Sequence, residues 1–119
     1  MKYFIIIFIS LLILAGVIWL LTNSSVKSDE SIANTAKCLK EKGVKFYGAS
    51  WCGHCNSQKK MFGDSEKFLP YIECSNPDRT TLKECTDAGI DGYPTWVFPD
   101  GKRQSGAMTL EQLKEASDC

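Results

Sequence analysis

The chain has no net charge at neutral pH: 14 basic side chains balance 14 acidic ones. It carries no basic stripe, so nucleic acid is not an expected partner. Internal repeats and low-complexity tracts are missing too, which leaves one ordinary domain as the simplest organisation. There is no second close cysteine pair, because after Cys52 and Cys55 the next cysteines are Cys74 and Cys85. A four-ligand zinc site commonly draws on two close pairs, so the spacing argues against zinc, and no metal is assigned. No histidine follows Cys55. Asn56 holds that place, whereas covalent haem attachment needs C-x-x-C-H. No cofactor is therefore expected.

What the sequence does have is six cysteines in 119 residues. That density suits an oxidising compartment and would be unusual for a cytosolic enzyme. It also has one long uncharged run, Tyr3 to Leu21, "YFIIIFISLLILAGVIWLL". At helical rise the run reaches roughly 28 Å, close to the apolar thickness of a bilayer. It exceeds the apolar core of a cleavable signal peptide, about 7–15 residues, and no A-x-A cut site follows it. Residues 1–22 are expected to be an uncleaved membrane anchor, with a cleaved signal peptide as the alternative. Lys2 precedes the run, which keeps the short amino end in the cytoplasm. The expected product is a single-pass cell-membrane protein with its C-terminal domain on the extracytoplasmic (periplasmic) side. Residues 23–30 read as a polar linker and 31–119 as the domain.

Within the domain, Ser31 to Lys42 predicts a helix with Ile32, Ala36 and Leu39 on one face and Gly43 at its end. "VKFYGA", 44–49, predicts a buried strand, followed by a helix over 52–62 closed by Gly63. "SEKFL" predicts a short helical turn before Pro70. "YIEC", 71–74, and "YPTWVF", 93–98, predict further strands, with a helix over 80–88 between them. "PDGK" predicts a hairpin turn and "RQSG" an edge strand. Thr109 caps a last helix, with Glu111 and Gln112 near the capping-box position. The order is α/β with a small mixed sheet.

The stretch "SWCGHCNSQ", 50–58, carries the chemistry. Thiols and an imidazole suit copper(I), so a copper-handling module is one reading. A purely structural disulfide is another, although so small a ring contributes little chain-entropy stabilisation. The redox reading has a mechanism. Cys52 falls where a strand ends and a helix begins, where unpaired N–H groups and the helix dipole favour thiolate over thiol. Cys55, one turn on, resolves the mixed disulfide that Cys52 forms. His54 adds positive charge when protonated. Trp51 either shields the pair and contacts substrate or is a plain packing residue.

Two blocks, "FYGASWCGHC" and "AGIDGYPTWVFPDGKRQSGAMTLEQLKE" (88–115), together resemble the thioredoxin superfamily. The resemblance covers most of 44–115 and implies a thioredoxin-like fold and thiol–disulfide exchange. The Gly53–His54 dipeptide is similar to that of protein disulfide isomerases. "FYGASWC" with cysteines near both ends looks closest to the thioredoxin-like domain associated with bacterial vitamin K epoxide reductase homologues. That branch implies a quinone-linked membrane partner, acting in trans here. The resemblance also implies a cis peptide bond before Pro94, facing the cysteine pair, with Tyr93 offering its backbone to a bound peptide. Two features depart from the family. The strand 44–49 carries no acid to take the proton of Cys55, leaving water or His54 for that task. "GAS" is one residue longer than the usual link, and Gly48 is the place for a bulge.

Four further cysteines allow three pairings. Cys74–Cys85 would pin the "SNPDRTT" loop, and Cys38–Cys119 would tie the last residue to the first helix of the domain. Free buried thiols, or an electron relay from Cys74–Cys85 to the active pair, are the alternatives. The expected function is a membrane-tethered thiol–disulfide oxidoreductase acting on exported proteins, with an exported reductase, for example in cytochrome c maturation, as the runner-up.

Overall fold

The computed structural model describes residues 1–119 apart from the side chains of 24–28. The linker expected over 23–30 falls partly on those positions, outside the described residues. The chain forms two compact units, Met1–Ser31 and Ile32–Cys119, and helix α1 is assigned over Lys2–Glu41. In the first unit, Lys2–Asn23 is 22 residues long and apolar enough to cross a membrane. At about 1.5 Å per residue that length matches a bilayer core. A signal sequence would look the same.

In the second unit, α1 ends at Glu41. Gly43 takes a positive φ of 79°, and Val44 N–H reaches back to Leu39 C=O at 3.0 Å. This left-handed turn at the helix end suits glycine. Strand β1 (Lys45–Gly48) follows, then α2 (Gly53–Lys60), a 3-10 helix (Gly63–Phe68) and β2 (Tyr71–Glu73). Helix α3 (Lys83–Asp87), β3 (Thr95–Val97), β4 (Arg103–Ser105) and α4 (Leu110–Ser117) complete the unit. The sheet order is β2-β1-β3-β4. The β1–β2 pair is parallel, with the α2 crossover between the two strands, and the other two pairs are antiparallel.

Side chains alternate across β1. Phe46 faces a core with Ala36 and Leu39 of α1, Cys55 of α2 and Leu113 of α4. Tyr47 faces the opposite side, with Cys74, Cys85 and Ile90. Helices therefore cover both faces of the sheet, α3 alone on the second. The register aligns Tyr71, Phe46 and Trp96 across three strands. Phe46 stacks on Trp96 at 4.3 Å and meets Tyr71 edge-on at 5.2 Å. Each such pair contributes about 0.5–1.5 kcal/mol beyond simple burial. Gln58 is fully buried and clamps α2 to the segment before α4. Its Oε1 accepts from Met108 N–H at 2.7 Å and its Nε2 donates to Met108 C=O at 3.0 Å.

Three expectations change. No bulge forms at Gly48, because the β1–β2 register runs unbroken to Gly48 opposite Glu73. The helix expected over 80–88 is shorter. Asp78 Oδ1 accepts from both the N–H and the hydroxyl of Thr80, Ser75 bridges Thr81, and Leu82 N–H donates to Cys74 C=O. These bonds hold residues 80–82 beside β2, so the helix starts only at Lys83. The strand expected over 93–98 is confined to Thr95–Val97.

Candidate functional site

The turn from β1 to α2 is closed by Cys52 N–H donating to Ala49 C=O at 3.0 Å. Cys52 is the N-cap of α2. Its backbone is extended, and its sulfur accepts the Cys55 N–H at 3.2 Å. The sulfur thus occupies the place of a capping oxygen, at the positive end of the helix. Both Cys52 and Cys55 are free thiols and both are buried, Cys55 completely. Burial, then a hydrogen bond with Cys52, pushes the Cys55 thiol up to about 12, while a hydrogen bond with the Ala49 backbone and, less, the charge of Lys59 oppose the rise. The pair is therefore unequal: an amide-capped sulfur at the helix start, and a proton-retaining thiol behind it.

Trp51 is half exposed beside the pair. Its indole N–H donates to Ser75 Oγ at 2.7 Å, Tyr93 meets it edge-on at 6.1 Å, and the Arg79 guanidinium lies 5.5 Å from its ring. Tyr93 packs against the core cluster that holds Cys52 and Cys55. The Tyr93–Pro94 bond is cis, Pro94 is buried, and its C=O accepts from Gly106 N–H at 2.8 Å. Gly53 and His54 are exposed, and a Cβ built on Gly53 would meet nothing. Trp51, Tyr93 and the two thiols thus converge on one site.

Cys74 is bonded to Cys85, and Cys38 to Cys119, with Cα separations of 5.6 and 5.9 Å. Cys74 and Cys85 lie in the cluster around Tyr47, on the other side of the sheet from Cys55.

Reading the sequence missed the residues beneath the pair. Tyr71 OH donates to Glu73 Oε2 at 2.8 Å, and Lys59 Nζ sits 3.6 Å from the centre of the Tyr71 ring. Burial, then the hydrogen bond to Glu73, raises the Tyr71 phenol well above its ordinary range. A signal was present. Tyr71 and Glu73 alternate onto one strand face, and Lys59 follows Cys55 by one helical turn. What the sequence could not supply was the pairing of β2 alongside β1 that brings that face under Cys55.

The thioredoxin family model matches residues 23–118. The chain is 47% identical over 98 residues to the thiol-disulfide oxidoreductase LTO1 of Arabidopsis thaliana, covering 77% of this chain and 25% of that protein. It is 29% identical over 82 residues to the protein disulfide-isomerase of Aspergillus oryzae, covering 57% of this chain and 16% of that protein. The chain thus spans a quarter or less of the length of these relatives. With the family match running across nearly the whole second unit, and with the capped cysteine pair and the mixed sheet beneath it, the chain belongs to the thioredoxin family.

Proposed function

We propose that the chain is a membrane-tethered thiol–disulfide oxidoreductase that forms or exchanges disulfides in exported proteins. The observation that carries this reading is Cys52 capping α2, its sulfur accepting Cys55 N–H at 3.2 Å with the Cys55 thiol buried behind it. The cap places the Cys52 sulfur at the helix start, in front of the buried partner, and the thiolate form of such a sulfur is the nucleophile in exchange. A client thiolate attacks Cys52 Sγ of the oxidised pair. The client–Cys52 bond forms and Cys55 departs with the electron pair. A second client thiolate then attacks the client sulfur, leaving a client disulfide and two reduced active-site thiols. The reverse sequence reduces a client. Trp51, with Tyr93 and Pro94, provides the surface on which a client segment rests, the Tyr93 backbone pairing with it as an added strand. Gly53 and His54, exposed in the first turn of α2, set the potential of the pair.

Support for the class comes from the relatives, whose names are those of a thiol-disulfide oxidoreductase and a protein disulfide-isomerase. The Lys2–Asn23 helix and the two further disulfides support an anchored protein in an oxidising compartment. The resemblance to the vitamin K epoxide reductase-associated branch supports a membrane quinone-linked protein as the partner that reoxidises the pair.

The test is a Cys55→Ser chain expressed in cells, where clients remain trapped on Cys52. The expected result is reductant-sensitive adducts with exported proteins and with the membrane partner. Absence of adducts would overturn the reading. Direction follows from equilibrating the pair with glutathione. A potential near that of thioredoxins, about −270 mV, would instead assign a reductase.

A further inference from the structure

Each time the Cys52–Cys55 bond opens or closes, Cys55 gains or loses a proton, and β1 holds no acid to serve it. The neighbouring strand does. Tyr71 lies beside Phe46 in the β1–β2 register, and Glu73 beside Gly48. A Cβ on Gly48 would lie 3.1 Å from Cys55 Sγ and 3.3 Å from the Tyr71 hydroxyl oxygen. Cys55 sulfur and Tyr71 phenol therefore both border the small space in front of Gly48, which only glycine leaves open. The phenol donates to Glu73 Oε2 at 2.8 Å, while Glu73 Oε1 accepts the N–H of Ser50 and of Ser75, both at 3.0 Å. Those two amides fix the carboxylate at the strand end from which the chain enters Trp51 and Cys52. Lys59 of α2 stacks on the far part of this group and lies 3.9 Å from Glu66 of the 3-10 helix. A surface cleft of about 450 Å3, lined in part by Lys59, Glu66, Leu69 and Tyr71, opens the group to water.

We propose that Tyr71 and Glu73 form the proton relay of Cys55, Tyr71 facing the sulfur and Glu73 positioning and recharging the phenol. The relay rests on the exchange reading above. In the closing step, Cys55 sulfur attacks Cys52 Sγ of the mixed disulfide, and the client sulfur leaves as a thiolate. The Cys55 proton passes to the Tyr71 oxygen as the phenolic proton passes to Glu73 Oε2, and Glu73 releases it to water. In the opening step the same path runs backwards, so Cys55 leaves as a thiol. Such a path is needed because burial holds the Cys55 thiol in its neutral form, and a sulfur that ionises reluctantly is a poor nucleophile and a poor leaving group. The titratable groups around the relay, among the described residues, are Cys52 at the N-cap of α2, Lys59 of α2, Asp64, Glu66 and Lys67 of the 3-10 helix, and Tyr71 and Glu73 themselves. His54 points to solvent and is not among them.

The test uses the full chain in detergent micelles with oxidised glutathione as the probe. Quenched flow separates capture of glutathione by Cys52 from its release by Cys55 across a pH series. Tyr71→Phe keeps the ring under Lys59 and against Phe46. Glu73→Gln keeps an oxygen for both amides. Each is expected to slow release about a hundredfold or more at neutral pH, the lower end of the typical reach of general acid–base catalysis, while capture stays unchanged. The double variant should lose no more than the worse single one, and release should then climb with pH as hydroxide takes over the proton. Release at the wild-type rate in either variant would overturn the relay. So would equal slowing of capture and release, which marks a structural role. A wild-type chain that captures glutathione and never releases it would overturn the exchange reading itself, and the relay with it.

Discussion

Gly48 and Cys55 show how much one atom decides at the residue scale. A methyl group on Gly48 would press to 2.7 Å from Tyr71 Cε2 and 3.1 Å from Cys55 Sγ. Gly48→Ala is therefore expected to destabilise the reduced protein by roughly 1–3 kcal/mol, the usual cost of overpacking, seen as a lower urea midpoint. Cys55 carries a pH signature. Its thiol is raised from 9.0 to about 12, so the folded state keeps a proton that the unfolded chain gives up. The stability this contributes is complete below about pH 9 and is lost as pH rises towards 12. Urea midpoints of the reduced wild type should fall across that alkaline window relative to reduced Cys55→Ser, whose residue there does not titrate. The C-x-x-C pair was legible because a strand-to-helix junction and a two-residue spacer are local features. Gly48 was read as room for a bulge because its real constraint, a ring from another strand, is not local. Glu73 was passed over for the same reason, since nothing in "YIEC" says which strand it borders.

Elements were legible where their ends carry their own chemistry. Thr109 caps α4 with Gln112 answering it, a complete capping box. Helix α1 stops before Gly43, whose φ is positive, and the Asp-Gly turn joins β3 to β4. Helix α3 lost its first turn to contacts that a sequence window cannot contain, because Leu82 N–H is committed to Cys74 C=O. Gln58 makes the same point about α2. Its spacing reads as an ordinary polar helix position, yet it is fully buried and satisfies both backbone groups of Met108. Gln58→Leu strips those partners while keeping most of the volume. The expected cost is about 1–3 kcal/mol per buried group left unpaired. Chemical denaturation should detect it, and hydrogen exchange should show loss of protection at Met108 N–H.

For the whole molecule, the α/β class and the thioredoxin-like architecture were legible, because two separated blocks in the right order constrain a fold more than either does alone. The strand order β2-β1-β3-β4 was not legible, because periodicity marks strands but not their neighbours. The Cys38–Cys119 bridge acts at this scale, closing a loop with a sequence separation of 81. In the chain-entropy account so long a loop contributes about 4 kcal/mol. Cys119→Ser should therefore lower the thermal midpoint by many degrees and free the end of α4, measurable by calorimetry and by carboxypeptidase trimming. The bridge also has a topological consequence. Residues 38 to 119 form a covalently closed ring, and the Cys74–Cys85 bridge closes a smaller ring inside it. A single cut by a protease anywhere in that circuit opens the ring without releasing a fragment. A nicked protein would keep its active-site cysteines attached to the N-terminal helix and migrate as one species until a reductant separated the pieces.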